Sequence, residues 1–324
     1  MIALTMGDPN GVGPEIILKA LQKVRSSVVV VGSRKVFEFY ARKLAIDFPF
    51  SRVTDGHIDL DRVSPDELIL LDIRLDDLEI KPGRLSPDAG RLALACLEKA
   101  VDLALSKKIS AVVTAPVSKE AVIRAGIEFT GHTEYLARRS GMREVYMLLF
   151  WRKFSVVHAT THIPLSKVSR SLSISKIVKS GTLAIEFLQK LGMTPKVGIA
   201  CLNPHCGEGG EIGVEEQKFI FPAFDELRKR FPRVVIGCFP ADTVYNQALS
   251  GKLNLVVAMY HDQGHIPMKL LAFSEAVNVT LGLPFVRTSV DHGTAFDIAG
   301  KGIADPSNLV EAAKLAIRIS KEEV

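Results

Sequence analysis

Met1-Ile-Ala-Leu-Thr-Met-Gly-Asp-Pro-Asn-Gly-Val-Gly-Pro-Glu15 opens the chain as a strand that runs straight into a glycine-rich turn and then into a helix. Pro14 suits the first turn of that helix, where a missing backbone N–H breaks no hydrogen bond. The alternation continues through the 324 residues. Strands are predicted over 2–6, 28–32, 68–72, 111–114, 146–150, 155–160, 196–201, 234–236 and 254–260. Several are nearly continuous Val, Ile and Leu, as expected when helices cover both faces of a parallel sheet. Residues 87–107, 171–191 and 214–230 repeat apolar side chains at three- and four-residue steps, the pattern of amphipathic helices. The expected class is α/β with a mostly parallel sheet. No internal repeat, low-complexity tract or Ser/Gly linker divides the chain, and its length suits two domains or one large unit.

Hydrophobic residues make up 47% and charged residues 24%, which excludes a disordered or fibrous chain. The formal charge of +5, from 41 Lys and Arg against 36 Asp and Glu, suits an anionic small substrate as well as a nucleic acid. No dense run of Lys and Arg is interleaved with aromatics, so no nucleic-acid partner is expected. Apolar runs such as 28–31 and 253–259 fall far short of the ~20 residues a membrane helix needs. The opening segment lacks the basic region and long apolar run of a secretory signal. Cys96, Cys201, Cys206 and Cys238 are scattered, with no Cys-x-x-Cys pair, and read as reduced, mostly buried thiols. A cytoplasmic protein with no membrane partner is the expectation.

The turn Gly7-Asp-Pro-Asn-Gly11-Val-Gly13 stands where a phosphate loop would, but its spacing is not G-x-G-x-x-G, and no G-K-[ST] occurs. It is either a simple strand-to-helix turn or a ligand loop. The eight histidines say more. His57 reads as a surface residue, and His158, inside a predicted strand, as a core or supporting residue. His132, His162, His205, His261, His265 and His292 sit among polar or loop-forming residues. Of these, His162, His205 and His261 fall at or just beyond the C-terminal ends of predicted strands, the edge where open α/β sheets bind ligands. Neutral imidazoles converging there suit a divalent transition metal with a position left for substrate. A zinc hydrolase is the rival, yet neither H-E-x-x-H nor G-x-S-x-G is present. His265 follows His261 by four residues in a segment bounded by Gly264 and Pro267. It is expected in a non-helical turn, facing or supporting the site, with an exposed turn residue as the alternative. Lys269, Asn278 and Arg287 recur at nine-residue intervals in an otherwise apolar stretch. They form either a phosphate grip or a set of unrelated ion pairs.

Asp291-His-Gly-Thr-Ala-Phe-Asp-Ile-Ala-Gly-Lys-Gly-Ile-Ala-Asp-Pro306 resembles the C-terminal cofactor loop of isocitrate and isopropylmalate dehydrogenases, and 7–15 is similar to their opening segment. Six further motifs, in order, resemble the 4-hydroxythreonine-4-phosphate dehydrogenase family of pyridoxal 5′-phosphate synthesis. They are Gly131-His-Thr-Glu134, Thr161-His-Ile-Pro-Leu165, Asn203-Pro-His-Cys-Gly-Glu-Gly-Gly210, Pro240-Ala-Asp-Thr243, Met259-Tyr-His-Asp-Gln-Gly264 and Thr280-Leu-Gly-Leu-Pro-Phe-Val-Arg-Thr-Ser-Val-Asp-His-Gly-Thr294. The resemblance implies a two-lobed isocitrate/isopropylmalate-dehydrogenase-like α/β fold with a cleft between lobes. One lobe would comprise 1–130 plus 280–324 on the cofactor side. The other, 131–279, would serve metal, substrate and dimerisation. It further implies a homodimer with shared active sites and NAD or NADP as cofactor. One divalent metal (Zn, Mg, Co or Mn) would be held by His162, His205 and His261, with His261 supplied by the neighbouring subunit. His132, Thr133, Lys269, Asn278 and Arg287 match substrate-binding positions, Asp242 a catalytic or nearby polar position, and His292, Gly293 and Thr294 the cofactor loop.

The expected reaction is oxidation of 4-phosphohydroxy-L-threonine to a β-keto acid that decarboxylates to 3-amino-2-oxopropyl phosphate. His265 stands where the biosynthetic enzymes carry an apolar residue. Relatives acting on 4-phospho-D-threonate or 4-phospho-D-erythronate look similar here, so these substrates are the alternative. A non-catalytic phosphometabolite-binding protein and a metal-dependent phosphatase are the remaining readings.

Overall fold

The structure is a computed structural model that describes residues 1–24, 28–55, 63–64 and 67–322. His57 lies outside the described residues. The chain divides into two compact units: Met1–Glu144 with Leu283–Val324, and Val145–Gly282. His132 and Thr133 thus belong to the first unit, whereas the sequence reading set the boundary at residue 130.

Strands are numbered along the chain as β1 (Ile2–Thr5), β2 (Val28–Gly32), β3 (Arg52–Thr54), β4 (Leu68–Asp72), β5 (Ala111–Thr114), β6 (Tyr146–Phe150), β7 (Ser155–His158), β8 (Val197–Ala200), β9 (Val235–Phe239), β10 (Leu255–Ala258), β11 (Val277–Leu281) and β12 (Val286–Ser289). The first unit orders its strands β3-β4-β2-β1-β5-β12, paired in parallel. β1, β2 and β5 are buried at every position, because helices cover both faces. Thr5 registers with Thr114, and Thr114 with Ser289. The loops that follow β1, β5 and β12 therefore leave from one edge. Helix Pro87–Leu105 starts as its sequence dictates, with Ser86 capping the Ala89 N–H and Pro87 in the first turn.

The second unit orders its strands β11-β6-β7-β10-β8-β9. β6 is antiparallel to β11 and β7, and β7, β10, β8 and β9 run parallel. Its core joins Leu149, Trp151, Phe154, Val156, Val256 and Met268. Among the described residues, no helix is long and apolar enough to cross a membrane.

Three strands, β3, β11 and β12, were not expected from sequence; Asn278 and Arg287 interrupt the apolar runs of the last two. The single helix expected over 214–230 is a π-helical turn, Glu216–Ile220, followed by α-helix Phe221–Arg230. Pro222 has no N–H to offer the carbonyl four residues back, which favours the wider turn. The expected turn at His265 is also corrected: α-helix His261–Ala272 runs through Gly264 and Pro267. Gln263 anchors its first turn, accepting from Met259 N at 2.6 Å and donating to the Cys201 carbonyl at 2.7 Å.

Candidate functional site

β7, β10 and β8 are adjacent and parallel, with Ala258 opposite His158 and Val257 opposite Ile199. Their C-terminal ends are level, and His162, His261 and His205 follow them by four, three and five residues. Asp242 leaves the same edge beyond β9, exposed in the first turn of helix Ala241–Leu249. This convergence follows from parallel pairing alone, since every chain leaves such strands on the same side.

His261 and His162 bring their ring centroids to 5.6 Å. Two imidazoles on one tetrahedral ion stand roughly 5 Å apart on the same measure. The Nδ1 of His261 lies 2.6 Å from Asp262 Oδ1, and that of His205 lies 3.2 Å from Glu208 Oε1. A carboxylate on Nδ1 holds the proton there and leaves Nε2 as the donor to a metal. The donor chemistry therefore fits a divalent transition metal. Among the described residues of the single chain, however, no group of three or more His, Cys, Asp and Glu converges as an ion site. His205 stands exposed beside Glu208.

Behind His261 lies a second pair that sequence reasoning only half found. His265, buried, stacks on the His261 ring with centroids 3.6 Å apart. Its Nδ1 lies 3.2 Å from Nε2 of His158, which is also buried. Burial, with the neighbouring histidines adding to it, pushes the His158 pKa down to about 3, so the ring is neutral.

The loop carrying His205 overturns the expectation of reduced thiols. Residues 205–209 all have positive φ, from 41° at Glu208 to 77° at Gly207. This left-handed turn brings Cys206 back onto Cys201, with Cα atoms 5.2 Å apart, and the two form a disulfide. Cys96 and Cys238 are free thiols. The base of the loop is pinned by buried Glu216, which accepts from the backbone N–H groups of Leu202 and Asn203 at 2.8 and 2.7 Å. Of the remaining residues expected here, Lys269 sets its ammonium 5.0 Å from the Phe273 ring centroid. Asn278, in β11, keeps Oδ1 buried and without a hydrogen-bond partner among the described residues.

In the first unit, Arg287 is buried in β12 and donates from Nη2 to Thr114 Oγ1 at 2.9 Å. Burial pulls its pKa down to about 10, against an opposing pull from Glu134. Burial first, then the Arg287 charge, pushes His132 down to about 3, so this imidazole is neutral. Its Nε2 is shut off from solvent and lacks a hydrogen-bond partner among the described residues. Thr133 follows it in helix His132–Arg139.

The opening loop is more than a turn. Val12 N donates to the Thr294 carbonyl at 2.9 Å, and a side chain on Gly11 would meet that oxygen at 3.0 Å. Asn10 clamps the segment 81–84, accepting from Lys81 N and donating to the Arg84 carbonyl. Buried Glu15 accepts from Ala304 N at 2.9 Å and pairs with Lys19. The Val12 and Glu15 contacts tie down Thr294 and Ala304 of the 292–304 segment. His292 and Gly293 are exposed, and a Cβ on Gly293 would meet nothing within 4 Å. Nothing in the spacing of the opening motif announces these contacts of Asn10 and Glu15.

Residues 24–316 match the family model described as pyridoxal phosphate biosynthetic protein PdxA. The chain is 41% identical to D-threonate 4-phosphate dehydrogenase of Pectobacterium atrosepticum, across 99% of each. It is 42% identical to 4-hydroxythreonine-4-phosphate dehydrogenase of Sulfurihydrogenibium sp., across 99% of this chain and 98% of the relative. The crystal structure of 4-hydroxythreonine-4-phosphate dehydrogenase from Klebsiella pneumoniae is similar with a TM-score of 0.87 and 40% identity over 99% of both chains. Isocitrate dehydrogenase from Methylococcus capsulatus shares the fold alone, with a TM-score of 0.53 at 13% identity over 99% of this chain and 86% of that one.

Proposed function

This chain belongs to the PdxA family of pyridoxal phosphate biosynthetic proteins, and from that premise we propose that it oxidises 4-phosphohydroxy-L-threonine with NAD or NADP. The β-keto acid formed loses CO2 to give 3-amino-2-oxopropyl phosphate. The observation that carries the reading is the set of strand-end histidines, two of them backed by a carboxylate on Nδ1. His162, His205 and His261 would hold one divalent metal (Zn, Mg, Co or Mn), with His261 supplied across a homodimer interface. Ile266, Leu270 and Phe273 support that dimer: they are exposed at helical spacing, the first two on the helix that begins at His261 and Phe273 at its C-cap. The compartment proposed is the cytoplasm.

When bound, metal and nicotinamide supply Lewis acidity at the substrate's secondary hydroxyl and an acceptor for its hydride. The protein's own residues do the remaining work. Asp262 and Glu208 keep the protons of His261 and His205 on Nδ1. Arg287, Lys269 and Asn278 bind the substrate phosphate, far from the reacting carbon, and so fix that carbon in place. His132, held neutral, offers its ring nitrogen to a substrate polar group beside Thr133. Asp242 or a metal-bound hydroxide would take the hydroxyl proton, and His292, Gly293 and Thr294 would border the nicotinamide cofactor.

A second reading takes 4-phospho-D-threonate or 4-phospho-D-erythronate as substrate. It is favoured by His265, a buried imidazole against His261 that adds a polar group beside the proposed metal ligands. The test is NAD(P)H formation with the three phosphorylated acids in the presence of each metal. The largest kcat/KM is expected with 4-phosphohydroxy-L-threonine. A preference for a phosphorylated aldonic acid that His265→Leu abolishes would install the second reading. Phosphate release without nicotinamide reduction would overturn both.

A further inference from the structure

We infer that His158 and His265 are positioning residues, an imidazole chain rooted on the Met147 carbonyl that fixes the tautomer of His265 and holds the ring on which His261 stacks. The inference rests on the reading of His261 as a site residue, but its logic is internal to the chain. Met147 O lies 3.2 Å from His158 Nδ1, and a carbonyl can only accept, so that nitrogen carries hydrogen. His261 O lies 3.1 Å from His265 Nδ1, which carries hydrogen for the same reason. The two rings then meet at 3.2 Å, His265 Nδ1–H against His158 Nε2. Two N–H groups cannot face each other there, so His158 Nε2 must accept. Both rings thereby carry hydrogen on Nδ1, and in the neutral imidazole this is the Nδ1–H tautomer.

Gly264 makes the arrangement possible. A Cβ there would stand 2.3 Å from His158 Nε2 and 2.7 Å from Val156 Cγ1, so only glycine lets the helix of His261 approach β7 this closely. The stack of His265 on His261, with planes 10° apart, then passes the position of the buried chain to the His261 ring.

The experiment is multiple-bond 15N–1H NMR of the metal-free, histidine-labelled full chain. Wild-type His158 and His265 are expected as Nδ1–H tautomers; an Nε2–H signal from either overturns the inference, and this needs no variant to fold. His158→Phe is expected to shift the His261 ring resonances, because the stacked His265 loses its acceptor. His158→Gln, which restores an acceptor, is expected to move them back. Unchanged His261 resonances in His158→Phe would also overturn it. Calorimetry with Zn2+ alone is expected to show binding weakened about 10–100-fold in His158→Phe. A wild-type chain that binds neither Zn2+ nor any of the other metals would instead remove the metal from the proposed function, while the NMR result stands.

Discussion

A carboxyl group shut away from water with no counter-charge becomes a weaker acid, and Asp8 is such a group. Burial pushes its pKa up to about 6, although Oδ1 accepts from Asn10 N at 2.9 Å. Oδ2 is buried with no hydrogen-bond partner among the described residues. The folded state thus binds a proton that the unfolded chain, with a pKa near 3.8, has already lost. Asp8 contributes stability fully below pH about 4, and that contribution disappears as pH rises to about 6, a change of about 3 kcal/mol. Asp8→Asn keeps the Oδ1 acceptor and should flatten this part of a plot of urea midpoint against pH. An equally steep fall in the variant would count against the assignment. Arg287 is the converse case, a buried guanidinium that stays charged at neutral pH. Arg287→Ala should lower kcat/KM for the phosphorylated substrate roughly 10–150-fold, from about 1.5–3 kcal/mol for a charge-assisted contact. An unphosphorylated analogue should be nearly indifferent, and equal losses for both compounds would mark Arg287 as structural.

Elements repeat the lesson that context can reverse a local preference. Glycine inside a helix is normally about 0.5–1 kcal/mol worse than alanine. Gly90, inside helix Pro87–Leu105, is different: a Cβ there would meet the backbone of Ala121 at 2.4 Å. Gly90→Ala should therefore destabilise by about 1–3 kcal/mol, read as a lower urea midpoint, because helix Lys119–Arg124 would have to move. A rise in the midpoint would show that propensity wins. The same conflict explains what could be read from sequence. Strands such as 28–32 and 255–258 were legible because nothing in them opposes the apolar run. β11 and β12 were not, because Asn278 and Arg287 look like site residues and are strand residues as well. The helix at His265 was hidden by Gly264 and Pro267, ordinarily stop signals; the Gln263 clamp and the approach to His158 appear only in three dimensions. The strand-end histidines were legible because parallel pairing puts all such ends on one edge. The Cys201–Cys206 pair was not, because spacing does not announce a left-handed turn.

At the scale of the whole molecule, the proposed dimer makes a sharp prediction. Leu270, on the helix that carries His261, is 82% exposed, and Phe273, at its C-cap, 70%. Leu270→Asp should leave the fold intact by circular dichroism and yield monomers in sedimentation, with the loss of activity a shared site requires. A wild-type chain that sediments as a monomer would remove the shared site. The division into units also has a consequence in time. Val145–Gly282 is one uninterrupted stretch, whereas the first unit needs Leu283–Val324 for completion, since β12 pairs with β5. On the ribosome, at about 5–20 residues per second, the edge of β5 waits roughly 10–30 s for its neighbour to be synthesised. During that interval the inserted unit emerges whole and can fold first. The half-made first unit meanwhile presents an open, apolar strand edge, the state in which a nascent chain most needs a chaperone.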